Sequence, residues 1–276
     1  MSIKGKAYLV GAYEHPTRKA GDKSVAQLHA EVAKGALEDA GLTKQDVDGY
    51  FCAGDAPGLG PLSMADYMGL RLRQMESTDT GGSSYLIHVA HAAQAIAAGK
   101  CNVALVTLAG RPRSEGSSGT QPRNWGAAAP DGPFEAPYGI VTANSYAMVA
   151  MRHMHEYGTT SEQLAWIKVA ASHHAQHNPH AMLREVVTVK DVLDSPVIAD
   201  PLHRLDCCVV SDGGGLCNNH PANRGGMTKV IEAVRQLRGE AHPKVQVKDC
   251  GLALAQGTGG QLGTRHGSAT LILERE

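Results

Sequence analysis

Three of the 14 histidines have a spacing that could hold a metal ion. His173, His174 and His177 recur at intervals that place side chains on one side of a helix. Imidazole nitrogens in such an arrangement are ordinary ligands of zinc. Asn178 and Pro179 end the predicted helix at once, however, and no cysteine or carboxylate pattern accompanies the histidines. We therefore expect no metal site.

Two serines stand at the start of a predicted helix. A turn rich in glycine and serine, residues 80–84, precedes an alanine-rich segment that predicts a helix over residues 85–98. Serine is among the commonest residues at a helix start, because its hydroxyl accepts a hydrogen bond from a free N–H group of the first turn. Helix capping is therefore the simplest prediction for Ser83 and Ser84.

A long stretch, residues 111–138, is rich in glycine, proline, serine and arginine and has little periodicity. A stretch of this length without regular structure is typical of a lid, a binding loop or disorder. Arg111, Arg113 and Arg123 could bind phosphate groups there, since the guanidinium fork matches phosphate. We favour the other interpretation, a solvated face of the loop.

Strands and helices alternate in the first part of the chain and must position these residues. Short apolar runs at residues 7–11, 47–52 and 103–108 predict buried strands. Residues 25–36 and 85–98 predict the helices between them. Strand and helix alternating in this order predict a right-handed, mainly parallel α/β sheet.

The second half of the chain carries further signals of the same kind. Another apolar run, residues 207–211, predicts a buried strand, and residues 227–240 predict a helix with one apolar face. Two apolar runs near the end, residues 252–255 and 269–273, flank a glycine-rich segment. They predict a closing hairpin.

Composition excludes several classes of function. Lys and Arg total 26 against 27 Asp and Glu, so the net charge of −1 gives no overall attraction to nucleic acid or to an anionic membrane. No stretch has the ~18 apolar residues of a membrane span, and residues 1–15 lack the apolar core of a signal peptide. The six cysteines show no CxxC spacing, which favours reduced thiols. We expect a soluble cytoplasmic protein.

Several stretches of the sequence resemble the thiolase superfamily. They are ALEDAGLTKQDVDGYF, the helix that starts at Tyr85 in its Gly-Ser-rich turn, and HEYGTTSEQLAWIKVAASHHAQHNPHAM. The stretches DVLDSPVIADPLHRLDCCVVSDGGG and NNHPANRGG resemble the sterol-carrier-protein-type (lipid-transfer) thiolases. The resemblance covers nearly the whole chain in order. It implies a thiolase-like α/β fold of two stacked βαβαβ halves, with layered helices and sheets, as a homodimer.

The family carries its acyl group on a cysteine at the N-terminus of the buried helix. The matching turn here is Gly82, Ser83 and Ser84, so that cysteine is absent. The resemblance places either serine at the position of the nucleophile, but a hydroxyl attacks only when a base lies beside it. We favour capping or hydrogen-bond donation to an oxyanion, and covalent catalysis by Ser83 or Ser84 is the alternative.

The resemblance also indicates a gap after Gly215. There the chain passes directly to the segment that resembles the family's Gly-His-Pro motif, without the first part of a second domain. We therefore predict an N-terminal thiolase-like domain at residues 1–215, with the loop excursion 111–138. Residues 216–276 would be the remnant of an incomplete C-terminal domain.

The resemblance identifies His220 as the catalytic base. This histidine precedes Pro221 and follows Asn219, where the family has glycine. A neutral imidazole can take a proton from a reacting group and return it. The alternative is a histidine that only packs a turn.

Four further residues are implied to bind the substrate. Gln256, Gly259 and Gly260 occupy roughly the place of the family's C-terminal Cys-x-His-x-Gly loop, in which both the second catalytic cysteine and the histidine are absent here. The Gln256 amide could hydrogen-bond a thioester oxygen, and the glycine N–H groups could line the pocket. A tight turn that needs glycine is the alternative. His88 could reach the same pocket from the buried helix, although a hydrogen-bonded core position suits it better.

These residues imply an enzyme that forms or cleaves carbon–carbon bonds in acyl-CoA thioesters, with His220 as base and no cofactor besides the CoA of the substrate. Claisen chemistry of the thiolase or acetyl-CoA acetyltransferase type and retro-aldol cleavage of a β-hydroxyacyl-CoA both remain open. The alternative function is a non-catalytic subunit that binds acyl-CoA or scaffolds a partner. Some members of the family work with a small OB-fold/zinc-ribbon protein, so such a partner is implied as well.

Overall fold

The computed structural model of the chain describes residues 3–116, 130, 132–213, 226–260 and 266–276. The chain divides into two compact units. The first combines Met1–Glu115 with Ser211–Glu276, and the second is Gly116–Val210. The second unit is thus an insertion between two segments of the first.

The order of helices and strands is that of a mixed α/β protein, as predicted. The first unit opens with α1 (Val25–Asp39), β1 (Gly49–Cys52), α2 (Pro61–Met68), β2 (Gln74–Ser77), α3 (Ser84–Ala97) and β3 (Ala104–Val106). The second unit contains α4 (Gly132–Glu135), α5 (Thr142–Tyr157), α6 (Ser161–Ala175), α7 (Val189–Leu193), β4 (Val197–Ala199) and β5 (Leu202–His203). The first unit closes with α8 (Gly226–Arg238), β6 (Leu252–Gly260) and β7 (His266–Glu274).

Local signals in the sequence explain where α1 begins and ends. The Ser24 hydroxyl accepts a hydrogen bond from the backbone N–H of Gln27 at 3.0 Å and so caps the N-terminus of the helix. Leu28 and Val32 lie on the face of the helix that is buried. Gly41 then adopts a φ of +68°, a conformation that ends helices and that glycine adopts without strain.

Three parallel strands form the sheet of the first unit, in the order β2-β1-β3. The central strand β1 is buried along its whole length, with Tyr50 and Phe51 fully enclosed. The parallel pairing confirms the prediction made from the alternation of strands and helices. Because the three strands run in the same direction, their carboxyl ends meet at one edge, which is where open α/β sheets bind ligands.

Helix α3 lies between this sheet and the antiparallel hairpin of β6 and β7. One side of the helix buries Ala92 and Ala95 with Phe51 of β1. Leu86 packs on the other side, in a cluster with Val230 of α8 and with residues of the hairpin. The predicted central helix and the predicted closing hairpin are both confirmed.

Residues 7–11 form no strand, so the buried strand predicted at the start of the chain is wrong. Tyr8 and Val10 are 57% and 52% exposed. A strand needs a neighbouring backbone, but the carbonyl of Val10 accepts a hydrogen bond from the side chain of Arg238 at 2.7 Å instead. An apolar cavity of about 130 Å³ is lined both by this segment and by β3. The apolar run therefore lies beside the sheet without pairing with it.

The strand predicted at residues 207–211 is also absent. Cys208 is exposed, and the nearby backbone pairing is one isolated bridge between Gly110 and Gly213. The buried carboxylate of Asp212 accepts hydrogen bonds from three backbone N–H groups at 2.7 to 3.0 Å. Side-chain hydrogen bonds, rather than a strand ladder, hold the end of this segment.

The second unit is mainly helical. Thr160 begins α6 by accepting a hydrogen bond from the backbone N–H of Gln163 at 3.3 Å, and α6 packs against α7. β4 and β5 form a short antiparallel pair. Across the described parts of both units, no helix combines the length and the apolar character that crossing a membrane requires.

Candidate functional site

The first turn of α3 meets the strand β6 at unusually close range. A Cβ atom on Gly259 would lie 1.8 Å from the carbonyl oxygen of Thr80 and 2.6 Å from the backbone nitrogen of Gly82. Gly226, at the start of α8, is as close: a Cβ there would lie 2.2 Å from the carbonyl oxygen of Gly82. Only glycine permits such approaches. Two separate backbone segments therefore pack directly against the turn that precedes α3.

Ser83 and Ser84 are 1% and 0% exposed and are hydrogen-bonded within this turn. The Ser84 hydroxyl accepts from the backbone N–H of Thr80 at 2.8 Å and donates to the carbonyl of Gly81 at 2.7 Å. The Ser83 hydroxyl donates to the carbonyl of Thr80 at 3.0 Å. The Ser83 side chain makes no capping hydrogen bond to the helix. The two hydroxyls therefore stabilise the turn that precedes α3, instead of accepting from N–H groups of its first turn as predicted.

His88 lies one turn further along α3 and is fully buried. The backbone N–H of Thr78 donates to its Nε2 at 3.0 Å, so a neutral ring carries its proton on Nδ1. The ring packs edge-on against Tyr85, with 5.5 Å between centroids. Among the described residues, Nδ1 has no hydrogen-bond partner. Burial lowers the pKa of His88 and keeps the imidazole neutral.

Glu76 connects β2 to α3 beside His88. Its carboxylate accepts a hydrogen bond from the Thr78 hydroxyl at 2.7 Å and contacts Nδ1 of His91. Burial by itself would raise the pKa of Glu76, but these two hydrogen bonds lower it overall. The loop that follows β2 is therefore held to α3 on two sides, by Glu76 and by His88.

The substitution His88→Gln should flatten the dependence of stability on pH. A histidine whose pKa is lower in the folded chain than in the unfolded chain takes up a proton on unfolding. The free energy of unfolding of the wild type should therefore fall as the pH drops through about 6.5. Glutamine can still accept from the N–H of Thr78 but does not titrate. Urea unfolding at about pH 7.5 and about pH 5.5 measures the difference in the free energy of unfolding.

His266→Gln, at an exposed position, is the control and should keep the wild-type dependence of stability on pH. The same slope in all three proteins would contradict this role for His88.

Asp55 joins three elements at the carboxyl ends of β1 and β3. It follows β1, and its carboxylate accepts a hydrogen bond from the hydroxyl of Tyr85 in α3. The backbone N–H of Ala109, which follows β3, donates to the same carboxylate at 3.2 Å. His29 of α1 places its Nε2 3.4 Å from this carboxylate. With its side chain only 3% exposed, the Asp55 carboxylate is enclosed by these groups.

Two more buried side chains extend this network into the sheet. The Thr107 hydroxyl lies 2.8 Å from Nδ1 of His29 and 2.8 Å from the hydroxyl of Tyr50. Nε2 of His29 lies 3.4 Å from the Asp55 carboxylate but makes no hydrogen bond among the described residues. His29, Thr107 and Tyr50 share two hydrogen bonds, and neither of them involves Asp55. Burial raises the pKa of Tyr50, which keeps that hydroxyl protonated.

Nothing in the sequence groups Asp55 with His29 and Tyr85. Asp55 and Tyr85 are 30 positions apart, and His29 and Thr107 are 78 positions apart. One signal was available: Asp55 follows a predicted buried strand, at the end where an α/β sheet carries its binding residues. Without the fold, nothing connected it to a histidine in α1.

The other predicted site residues are Gln256, Gly260 and His220. Gln256 is half-buried on the face of β6 opposite to α3, since Ala255 and Gly257 on either side are buried towards the helix. Gly260 lies beside the turn: a Cβ on Gly81 would be 2.7 Å from its nitrogen. His220 lies outside the described residues, as does the junction after Gly215. The structure thus brings Ser83, Ser84, Gly259 and Gly260 together around one turn.

The residues considered as phosphate or metal ligands are spread over both units. Arg111 and Arg113 lie in the first unit, and Arg123 is outside the described residues. His173 and His174 are exposed in α6. Within the described ranges, no group of three or more His, Cys, Asp or Glu residues is placed to hold a metal ion.

Comparison with known proteins gives three consistent similarities. Residues 206–275 match the family described as thiolase C-terminal domain-like. The chain is 33% identical over 208 residues to an acetyl-CoA acetyltransferase of Methanothermobacter thermautotrophicus, covering 73% of this chain and 53% of that protein. It is 34% identical over 220 residues to a steroid side-chain-cleaving aldolase of Thermomonospora curvata, covering 77% of this chain and 56% of that protein.

A solved structure described as the Ltp2-ChsH2(DUF35) aldolase has the same fold over the matched part. The two chains are 33% identical and superpose with a TM-score of 0.66, covering 74% of this chain and 53% of that chain. The chain belongs to the thiolase superfamily and is similar to its sterol-carrier-protein-type members. This confirms the predicted thiolase-like α/β fold. The chain spans about half the length of the curated relatives that it matches.

Proposed function

We propose that this protein cleaves a carbon–carbon bond in a β-hydroxyacyl-CoA thioester by a retro-aldol reaction. The observation that carries the proposal is the turn before α3, where the family's nucleophilic cysteine is replaced by Ser83 and Ser84. Both hydroxyls are buried and engaged within the turn. Retro-aldol cleavage needs a base and a stabilised enolate but no acyl-enzyme. Two relatives are also described as a lyase and an aldolase that act on steroid side chains or their CoA esters.

In this reaction His220 acts as the general base. It removes the proton of the β-hydroxyl group, the C–O bond becomes a carbonyl, and the bond between Cα and Cβ breaks. The electron pair moves into the thioester, which becomes an enolate and then takes a proton at Cα. The products are a ketone or aldehyde and a shorter acyl-CoA. Backbone N–H groups around the first turn of α3 and at Gly259 and Gly260 would stabilise the enolate oxygen, and His88 would line the substrate site. Gln256, on the face of β6 opposite to α3, would not reach this site.

Two other functions are the alternatives to the retro-aldol reaction. The first is Claisen chemistry, as in the acetyl-CoA acetyltransferases that the chain is similar to. The second is a non-catalytic subunit that binds acyl-CoA. The absent cysteine argues against the first, and the Asn219-His220-Pro221 segment argues against the second.

We also propose a partner protein, an assembly and a location for this chain. The description of the similar aldolase structure names a DUF35 partner. A small OB-fold/zinc-ribbon protein, which the resemblance implies, is the proposed partner, and a homodimer is the proposed assembly. The five cysteines that the structure describes form no disulfide with one another, which supports a cytoplasmic location. The division into an N-terminal thiolase-like domain, residues 1–215, and the remnant of a C-terminal domain, residues 216–276, stays a proposal. It is separate from the division into compact units.

A comparison of two substrates tests the proposed reaction. The purified protein, alone and with the DUF35-type partner, is incubated with a tertiary β-hydroxyacyl-CoA and separately with acetoacetyl-CoA plus free CoA. We expect a ketone and a shorter acyl-CoA from the first and no thiolysis of the second, by mass spectrometry. Faster thiolysis of acetoacetyl-CoA would favour the Claisen alternative. Binding of acyl-CoA without either reaction would favour the non-catalytic subunit.

A further inference from the structure

Three elements of the first unit reach a single buried carboxylate, that of Asp55, which follows β1. It accepts from Tyr85 of α3 and from the backbone N–H of Ala109 after β3, and it faces Nε2 of His29 in α1. Tyr85 and His29 are 0% exposed. Polar atoms removed from water to this degree cost free energy unless they are hydrogen-bonded. Tyr85 donates to Oδ1 of Asp55 and the N–H of Ala109 donates to Oδ2, so each oxygen has a donor.

Tyr85 connects this carboxylate to the first turn of α3. It is the residue directly after Ser84, whose hydroxyl holds the turn that packs against Gly259. The hydrogen bond from Tyr85 to Asp55 thus joins the edge of the sheet to the end of the helix that faces β6.

We propose that Asp55 is the positioning residue of the site: through Tyr85 it holds the N-terminal turn of α3 in the orientation that the reaction requires. Nε2 of His29 lies 3.4 Å from the same carboxylate without a hydrogen bond, so the donors that carry this role are the hydroxyl of Tyr85 and the N–H of Ala109. This inference rests on the proposed function, because it assigns Asp55 a role in that reaction. Asp55 itself touches no substrate in this account.

The substitutions Asp55→Asn and Tyr85→Phe both break this connection. The carboxamide of asparagine carries one acceptor and one donor, so one of its two sides must face a donor of the network. Phenylalanine removes the hydroxyl and keeps the ring. Tyr50→Phe is the matched control: Tyr50 is equally buried and also loses one hydroxyl, but its partner is Thr107 and not Asp55.

The first measurement is the rate at which the protein exchanges the α-hydrogens of propionyl-CoA with D₂O, followed by mass spectrometry. We expect kcat to fall about 10-fold or more in Asp55→Asn and Tyr85→Phe, with KM for propionyl-CoA within about twofold of wild type. The double variant should be no slower than the slower single variant, since both act through one contact. Tyr50→Phe should keep kcat within about twofold. Wild-type kcat in Asp55→Asn, or an equal loss in Tyr50→Phe, would overturn the proposal.

The second measurement does not depend on activity. Amide hydrogen exchange should show faster exchange at residues 84–87 in Asp55→Asn and Tyr85→Phe, and unchanged exchange there in Tyr50→Phe. If the wild type exchanges no propionyl-CoA hydrogens, the proposed function fails. Altered amide exchange confined to the first turn of α3 would then still support the positioning role. Unaltered amide exchange in all three variants would contradict it.

Discussion

Replacing Gly259 with alanine should destabilise the first unit more than any other single-methyl substitution in the hairpin. The new Cβ would lie 1.8 Å from the carbonyl oxygen of Thr80, so the backbone of β6 or of the turn before α3 has to move. Overpacking of a well-filled interior typically costs about 1–3 kcal/mol and occasionally more, and a clash with backbone on this scale belongs at the upper end of that range. Urea unfolding measures the change in the free energy of unfolding.

The hairpin itself offers the matched control. Gly267 is the residue of β7 that pairs with Gly259, and a Cβ on Gly267 would have no atom within 4 Å. Gly267→Ala should therefore change the free energy of unfolding by less than about 0.5 kcal/mol. Equal losses of stability in the two variants would mean that β6 does not lie against the turn as described.

The substitution His220→Ala should have the largest effect on activity. If His220 is the base, its removal should lower the rate of α-hydrogen exchange in propionyl-CoA by ~10²-fold or more. The midpoint of urea unfolding should stay close to that of the wild type, since the expected loss is one of chemistry and not of folding.

His266→Ala is the control for the His220 variant. His266 is exposed at the start of β7, so its loss should leave the exchange rate unchanged. An exchange rate in His220→Ala within about twofold of wild type would reduce His220 to a residue that packs a turn, and the proposed mechanism would lose its base.

The sequence predicted the parts of the fold that depend on local patterns. Alternation of apolar runs with amphipathic segments located β1, α3 and β3 and their parallel arrangement. The glycine-rich segment between two apolar runs located the hairpin of β6 and β7. In each of these cases the pattern and the neighbouring elements agree, because the predicted strand has a neighbouring backbone to pair with.

The two wrong strands show where local patterns stop being sufficient. Residues 7–11 are as apolar as a strand, but the carbonyl of Val10 is bound by the side chain of Arg238, 228 positions away. Residues 207–211 precede Asp212, whose carboxylate accepts hydrogen bonds from the backbone N–H groups of Ala20 and Arg113. Both outcomes depend on partners far away in the sequence, which composition and periodicity do not reveal.

The candidate site was only partly predictable for the same reason. The resemblance identified Ser83 and Ser84 at the start of α3 and Gly259 as a residue that lines the same pocket. It gave no role to Asp55, because this role depends on hydrogen bonds from Tyr85 of α3 and from the backbone N–H of Ala109 after β3. It also implied that Gln256 binds the substrate. Side chains alternate along β6, however, and this alternation puts Gln256 on the face opposite to α3.

The most direct test of the account is deuterium incorporation into propionyl-CoA in D₂O, combined with an acid quench that would retain any acyl group bound to the protein. A base and a stabilised enolate are sufficient for exchange, and no covalent intermediate is needed. We predict that wild-type protein exchanges the α-hydrogens and that intact-mass spectrometry of the quenched protein finds no added acyl group. Exchange accompanied by an acyl group on Ser83 or Ser84 would contradict the proposed mechanism, and the absence of exchange would contradict the proposed function.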